Sequence, residues 1–354
     1  MNMLRNALVA FLVFLAAPVL AAAPAIPPGA APNLFASPAA TLNLNQGEPR
    51  SANQVGTSIT SGSTLTILNI SPGVPGYVDH IWMTGLAANN MKDGILKVYV
   101  DGESTPSITT DMNGLGGAFM TVTNTINAMK HLGVQFSTAA SAPSWTFTYP
   151  IPYKSSVTIT FTNIDTGTLT YYSDIHYVNG VNVPYKLWSS GVTILNRSLA
   201  VSIANQQNGS VVFLNVPSGP GWVVYSQITW ANATNYSFLE NGPSYYLDGT
   251  TGCAGQSTWP NAQYQVSGGE DYFQGAYYFQ PAAPYWQPWM MLEKGSVSGF
   301  GDVVSASLDL LELHGGIKFN NGVKVCLELP AGKSTGTQTT LADLAWLFLY
   351  YTPN

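Results

Sequence analysis

The chain has 354 residues, with 12 Lys and Arg against 18 Asp and Glu, so only 8% is charged and the formal net charge is -6. A soluble domain usually carries roughly 25% charged residues. A hydrophobic content of 46%, with 12% aromatic, excludes disorder, and two cysteines exclude a disulfide scaffold. The acidic balance excludes binding along a phosphate backbone, so no nucleic-acid partner is expected.

Met1 to Ala23 reads as a secretory signal peptide, with Arg5, an apolar run from Ala7 to Ala17, Pro18, and small residues at Ala21 to Ala23 suited to cleavage. The run is too short for a membrane span of about 20 apolar residues, so no membrane attachment is expected after cleavage. Residues 24–50, with Pro24, Pro27, Pro28, Pro32 and Pro38, read as a Pro/Ala-rich leader. The expected location is secreted or periplasmic. Export permits a bridge between Cys253 and Cys326, but spacing alone leaves open whether they come within reach. Sparse charge also suits an acidic habitat, where fewer carboxylates have to be protonated.

Beyond the leader, short alternating runs bounded by Gly, Pro, Asn and Asp predict an all-β protein. Leu96 to Asp101-Gly102 reads as a strand entering a turn, and Ser156 to Phe161 and Val323 to Leu327 alternate with period two. Four features then recur in order. Pro75 to Trp82 resembles Pro220 to Gln227, and Val98 to Gly102 resembles Tyr245 to Gly249. Pro152 to Val157 has a counterpart in Ile317 to Val323. Aromatic strands, Leu169 to Tyr177 and Leu344 to Tyr351, close each half. The expected fold is two tandem jelly-roll β-sandwich domains, a double jelly roll, with the first at 51–190 and the second at 191–354.

The four histidines, His80, His131, His176 and His314, lack ligand spacing, so no metal is expected, and no cofactor fingerprint occurs. No Gly-x-Ser-x-Gly elbow is present. The informative stretch is Gly268-Gly269-Glu270-Asp271-Tyr272-Phe273, with Trp259, Tyr264, Tyr277, Tyr285, Trp286 and Trp289 around it. Aromatic faces beside paired acids suit a sugar and glycosidic-bond chemistry. The same aromatics also read as sandwich core, with the acids in a solvated turn. A second candidate acid, Glu240, precedes Asn241-Gly242.

Taken together, these stretches resemble glycoside hydrolase family 172 (GH172). Pro75 to Thr84 resembles the family's Gly-Pro-Gly…Ile-Trp-Thr segment, and Tyr99 to Ser107 its Tyr-x-Asp-Gly-Glu-x-x-Pro-Ser segment. Leu239 to Gly249 resembles the Leu-Glu-Gly…Tyr-x-Asp-Gly block, and Gly268 to Phe273 the Gly-Thr-Glu-Asp-Tyr-Phe block. The resemblance implies a double jelly roll assembling as a homotrimer or a dimer of trimers, with an oligo- or polysaccharide partner. It implies retaining hydrolysis of α-linked D-arabinofuranosides or fructofuranosides, with Glu270 as nucleophile and Glu240 as general acid/base. Asp271, Tyr272, Trp259 and Asp111 would line the substrate.

Three departures stand beside it. The family's Ser-x-Asp-x-x-Gly-Gly-Asn segment has no match between Arg50 and Thr66, and Gly269 replaces its Thr. Asp309 to Ile317 lacks the Arg, the Asp-Pro and the aligned His of its Tyr-Arg-x-His-x-x-Asp-Pro-Ile segment. The alternative expectation is therefore a non-catalytic structural or carbohydrate-binding assembly protein on the same scaffold.

Overall fold

The computed structural model describes residues 47–86, 94–112, 128–130, 134–137, 144–164, 167–192, 201–202, 211–233, 239, 241–249, 253, 264, 268–274, 285–287, 289–297, 301–328 and 343–354. All of these lie within one compact unit, Leu42–Asn354. The expected signal peptide and nearly all of the leader lie outside the described residues.

Strand after strand obeys period two. In β4 (Gly94–Val100) and β10 (Val157–Asn163) every second residue is buried, and Val98, Val157, Ile159 and Phe161 are wholly enclosed. Burying one such side chain fully is worth roughly 1.5–3 kcal/mol, which fixes the face each strand turns inward.

The first sandwich pairs a long sheet with a short one. The long sheet runs β1 (Glu48–Ile59), β11 (Leu169–Asn179), β3 (Gly76–Leu86), β8 (Ser144–Phe147), β7 (Val134–Ser137) and β6 (Ala128–Lys130), with β9 (Ile151–Tyr153) also beside β3. The short sheet runs β2 (Thr64–Ile70), β10, β4 and β5 (Ile108–Asp111). Ile81, Met83, Trp145, Phe161, Tyr171 and Ile175 fill the space between them.

The second sandwich repeats the plan. Its long sheet runs β12 (Tyr185–Val192), β22 (Asp343–Pro353), β15 (Gly221–Ala233), β19 (Gly301–Asp309), β18 (Met290–Val297) and β17 (Tyr285–Gln287). Two short strands lie off this path: β13 (Val201–Ser202) on β22 and β20 (Ile317–Phe319) on β15. Its short sheet runs β14 (Val211–Val216), β21 (Val323–Glu328) and β16 (Gly242–Leu247). Both halves are jelly rolls, with the first strand of each beside the last and the long connections crossing between sheets.

The recurring motifs do the same mechanical work in both halves. Asp101 and Asp248 adopt φ of 54° and 61°, followed by Gly102 and Gly249 at 76° and 78°, so both turns need left-handed backbone at two positions. Each aspartate then holds the loop that feeds the neighbouring strand. Asp101 Oδ1 accepts from the Lys154, Ser155 and Ser156 backbone N–H groups, and Asp248 Oδ1 from those of Asn320 and Asn321. Gly76 and Gly221 open β3 and β15, where a Cβ would overlap the Val178 and Tyr351 carbonyl oxygens respectively.

The expected boundary at 190/191 falls inside β12. Tyr185 to Val192 pairs along its whole length with Pro353 to Trp346 of β22, so this strand belongs to the second sandwich's sheet. Likewise β1 begins at Glu48, ahead of the expected domain start. The halves also touch directly. Tyr149 sets its ring edge against Tyr225, the Tyr351 hydroxyl donates to Pro150 O at 2.7 Å, and Ser189 N donates to Ser107 O at 2.9 Å. The Lys186 ammonium of β12 pairs with Glu103 just beyond the Asp101-Gly102 turn, and lies 3.6 Å from the centre of the Trp188 ring.

Candidate active site

Where the first sandwich places β5 at the edge of its short sheet, the second has no matching strand among the described residues. Past the Asp248-Gly249 turn the chain reaches Cys253, which is bonded to Cys326 with Cα atoms 5.9 Å apart. It returns at Tyr264, which exchanges backbone hydrogen bonds with Tyr245 at 2.8 and 3.4 Å. It then makes the one-turn helix α1 (Gly269–Tyr272), which carries Glu270.

The local sequence explains the helix and its tight seat. Gly268 enters extended, without a side-chain cap, and two acids occupy the first turn, where the helix dipole favours negative charge. A Cβ at Gly268 would stand 2.8 Å from Leu239 O and 2.9 Å from Glu270 Oε2. One at Gly269 would stand 3.1 Å from Asn241 O. The bare glycines therefore let α1 lie directly on the backbone at Leu239 and Asn241, and let the Glu270 carboxylate fold back over Gly268. Glu270 is 7% exposed and Asn241 2%.

Tyr272 and Phe273 anchor the helix from below. The Tyr272 hydroxyl shares hydrogen bonds with Ser226 Oγ at 2.8 Å and the Tyr245 hydroxyl at 2.6 Å, and Phe273 sets its edge on Trp230. Burial pushes the Tyr245 and Tyr272 phenols well above their ordinary range, so both remain neutral donors. After the helix, Gln274 turns with φ of 54° and its Oε1 accepts from Trp289 Nε1 at 3.1 Å.

The expected site residues fall in different places. Glu270 is held in a buried, glycine-backed seat, and Asp271 is exposed on the same helix. Tyr272 is 2% exposed within the core, where its contacts fix the helix from the side away from solvent. Asp111 is buried at the end of β5, opposite Ile95, in the other sandwich. Glu240 and Trp259 lie outside the described residues. Glu240's flanking residues, Leu239 and Asn241, are nevertheless the ones against which Gly268 and Gly269 pack, so the two acid-bearing blocks are neighbours in the fold.

One buried carboxylate escaped the sequence reading. Glu328, at 1% exposure, pairs in register with Gly242 and accepts from the Tyr246 hydroxyl at 2.6 Å. Burial, then Glu328, raises the Tyr246 phenol's pKa. The usable signal is the period-two step from Cys326 to Glu328, which sets the acid on the disulfide's side of β21. Among the described residues, no three His, Cys, Asp or Glu side chains gather as a metal centre.

The profile of the GH172 first β-sandwich domain matches residues 57–182, the span from the end of β1 to just past β11. No curated protein matches the chain. Among solved structures, the chain is similar to the major capsid protein P2 from bacteriophage PM2, at 8% identity and TM-score 0.41, over 86% of this chain and 97% of that one. It is also similar to a chain of Sulfolobus turreted icosahedral virus, at 10% identity and TM-score 0.43, over 86% and 91%.

Proposed function

The chain belongs to the GH172 family through its first β-sandwich domain, residues 57–182, and from that premise we propose an exported retaining glycoside hydrolase acting on α-linked furanosides. The supporting observation is the seat of Glu270. It is a 7%-exposed carboxylate on a helix packed directly on the backbone either side of Glu240. In this reading Glu270 attacks the anomeric carbon while Glu240 protonates the leaving oxygen. Glu240 then takes a proton from the water that releases the sugar, and retention results. The chemistry needs the two carboxyl groups about 5–5.5 Å apart. Exposed Asp271 and the aromatic Trp259 are assigned to the sugar; Asp111, buried in the first sandwich, is not. A D-arabinofuranoside or fructofuranoside in an oligo- or polysaccharide is the proposed substrate, and a homotrimer or dimer of trimers the proposed assembly.

The altered segment Asp309 to Ile317, which lacks the family's Arg and Asp-Pro, favours a second reading, a non-catalytic assembly protein on the same scaffold. Here Asp309 has another task. It caps α2 (Leu310–His314) by accepting from Glu312 N at 3.0 Å.

The deciding experiment assays the mature protein on aryl α-arabinofuranosides and fructofuranosyl oligosaccharides between about pH 3 and 7, beside Glu240→Gln and Glu270→Gln. The hydrolase reading expects turnover by the wild type and a loss of at least about 100-fold in each variant. No turnover by a correctly assembled wild type transfers the assignment to the assembly reading.

A further inference from the structure

The long sheet of the first sandwich has an outer face that the candidate site does not use. Inward, β3 and β11 present Ile81, Met83, Tyr171 and Ile175 to the core. Outward, the same strands present His80, Trp82 and Thr84 beside Tyr172, Asp174 and His176. Register makes these a grid: His80 opposes His176, Trp82 opposes Asp174, and Thr84 opposes Tyr172. The neighbouring strands extend it with Asn53, opposite Asp174, and Thr146, opposite Trp82.

The grid is ordered by its own contacts. The His80 and His176 rings stack with centroids 4.9 Å apart and planes inclined by 29°. His176 Nε2 lies 3.1 Å from Asp174 Oδ2, and the Asn53 amide donates to Asp174 Oδ1 at 2.8 Å. The side chains of His176 and Asp174 nevertheless keep 50% and 40% of their surface exposed. Half-buried Trp82 thus sits among planar polar groups that are fixed in place and still reachable.

We propose that this face is a carbohydrate-docking platform, separate from the Glu270 site, which takes a sugar ring against Trp82 and its vicinal hydroxyls on Asp174, Asn53 and the histidines. Two observations select that occupant. Aromatic rings flanked by aligned donors and acceptors match an amphipathic ring with hydroxyls along its edge. Asp174 is the one carboxylate of the grid and is hydrogen-bonded by Asn53 beside His176, so the face offers neither the basic stripe a phosphate polymer needs nor a strongly charged patch for a charged peptide.

The test is affinity electrophoresis of the mature protein through gels holding dextran, yeast mannan or arabinogalactan, with Trp82→Ala, Tyr172→Ala and Glu270→Gln run alongside. The proposal expects retardation of the wild type and of Glu270→Gln by at least one polysaccharide. It expects at least tenfold weaker retention of Trp82→Ala, at an unchanged urea midpoint, and an intermediate loss for Tyr172→Ala. It is overturned if no probe retards the wild type, or if Trp82→Ala and Tyr172→Ala are retained like the wild type. Retention lost in Glu270→Gln alone would move the binding to the other site and also overturn it. So would a self-association, seen by sedimentation without sugar binding, that Trp82→Ala abolishes. Because catalysis is assayed separately, failure of the platform and failure of the hydrolase reading are distinguishable.

Discussion

The two sandwiches share the order of their main strands, their Asp-Gly turns and the glycine that opens β3 in one and β15 in the other, yet they differ at one edge. In the first, the short sheet ends in β5, a regular strand whose Asp111 is buried against its neighbours. In the second, no strand matching β5 occurs among the described residues; there Cys253 is tied to Cys326 by a disulfide, and a one-turn helix carries Glu270. Shared positions carry the mechanics of the sandwich. The edge where the repeat breaks is free of that duty, and there a carboxylate can be held in an irregular seat.

This comparison can be broken at several points, in decreasing order of expected effect. The Cys253–Cys326 bridge closes a separation of 73 residues and belongs to the second sandwich alone. Replacing both cysteines by serine should cost about 4 kcal/mol by chain entropy, measured by urea unfolding. Hydrogen exchange should show the loss in the second sandwich and leave the first unchanged. Equal loss in both halves would count against their independence at this edge.

Gly76→Ala and Gly221→Ala test the shared mechanics. Each adds a methyl that overlaps a backbone carbonyl, Val178 O or Tyr351 O, and backbone has little room to yield. Each should destabilise by about 3 kcal/mol. A neutral result at either position would show that the two openings are not equivalent.

Asp101→Ala and Asp248→Ala remove the acceptors of the loop N–H groups, and each should cost about 1–2 kcal/mol. For Asp248 the loop amides of Asn320 and Asn321 hold the carboxyl below its ordinary value of 3.8. A depressed folded-state pKa gives stability that is present above the unfolded value and lost as pH falls through the folded one. Asp248→Asn should therefore flatten the acid limb of the stability curve below about pH 4.

The smallest effect distinguishes the outer faces. Burial first, then His176, lowers the pKa of His80 below 6.5. The unfolded chain consequently takes up this proton first, and stability falls as pH drops below that value. Asp79, beside both rings, is raised by burial; it takes up its proton first in the folded state and partly offsets the loss at lower pH. Asp174 on β11 and the Arg50–Glu48 pair on β1 complete the charged groups of these strands near the cluster. His80→Gln should make the decline below pH 6.5 shallower, as read from urea midpoints across that range, and leave the part due to His314, whose pKa burial also lowers. A decline of unchanged slope would assign it to another group.

Much of the fold was legible because local physics and tertiary structure agree. Asp101-Gly102 and Asp248-Gly249 need left-handed backbone wherever they fall, and the alternation of Val157 to Phe161 states which face is buried. The closing strand read over Leu344 to Tyr351 is an interior strand, flanked on both sides by β12 and β15. Other features depend on long-range choices. Tyr185 to Val192 alternates equally well for either sandwich, and only its register with β22 assigns it to the second. Tyr272 has the chemistry of a sugar-facing aromatic, but its hydroxyl bonds to Ser226 and Tyr245, two residues that no local pattern connects to it. The spacing of Cys253 and Cys326 left their pairing open, because closure depends on how the chain returns to β21. For Glu328 the period-two step from Cys326 gives the side of β21, but its burial is set by the pairing with Gly242 on β16.

The most direct test of the central claim, that the broken repeat carries the reacting carboxylate, is to trap the glycosyl-enzyme. The mature protein would be treated with a furanose-configured epoxide that labels retaining nucleophiles, digested, and its peptides weighed. The account predicts one sugar adduct on the peptide containing Glu270, absent from Glu270→Gln. A label on another carboxylate, or no label on a protein that turns over furanosides, would contradict it.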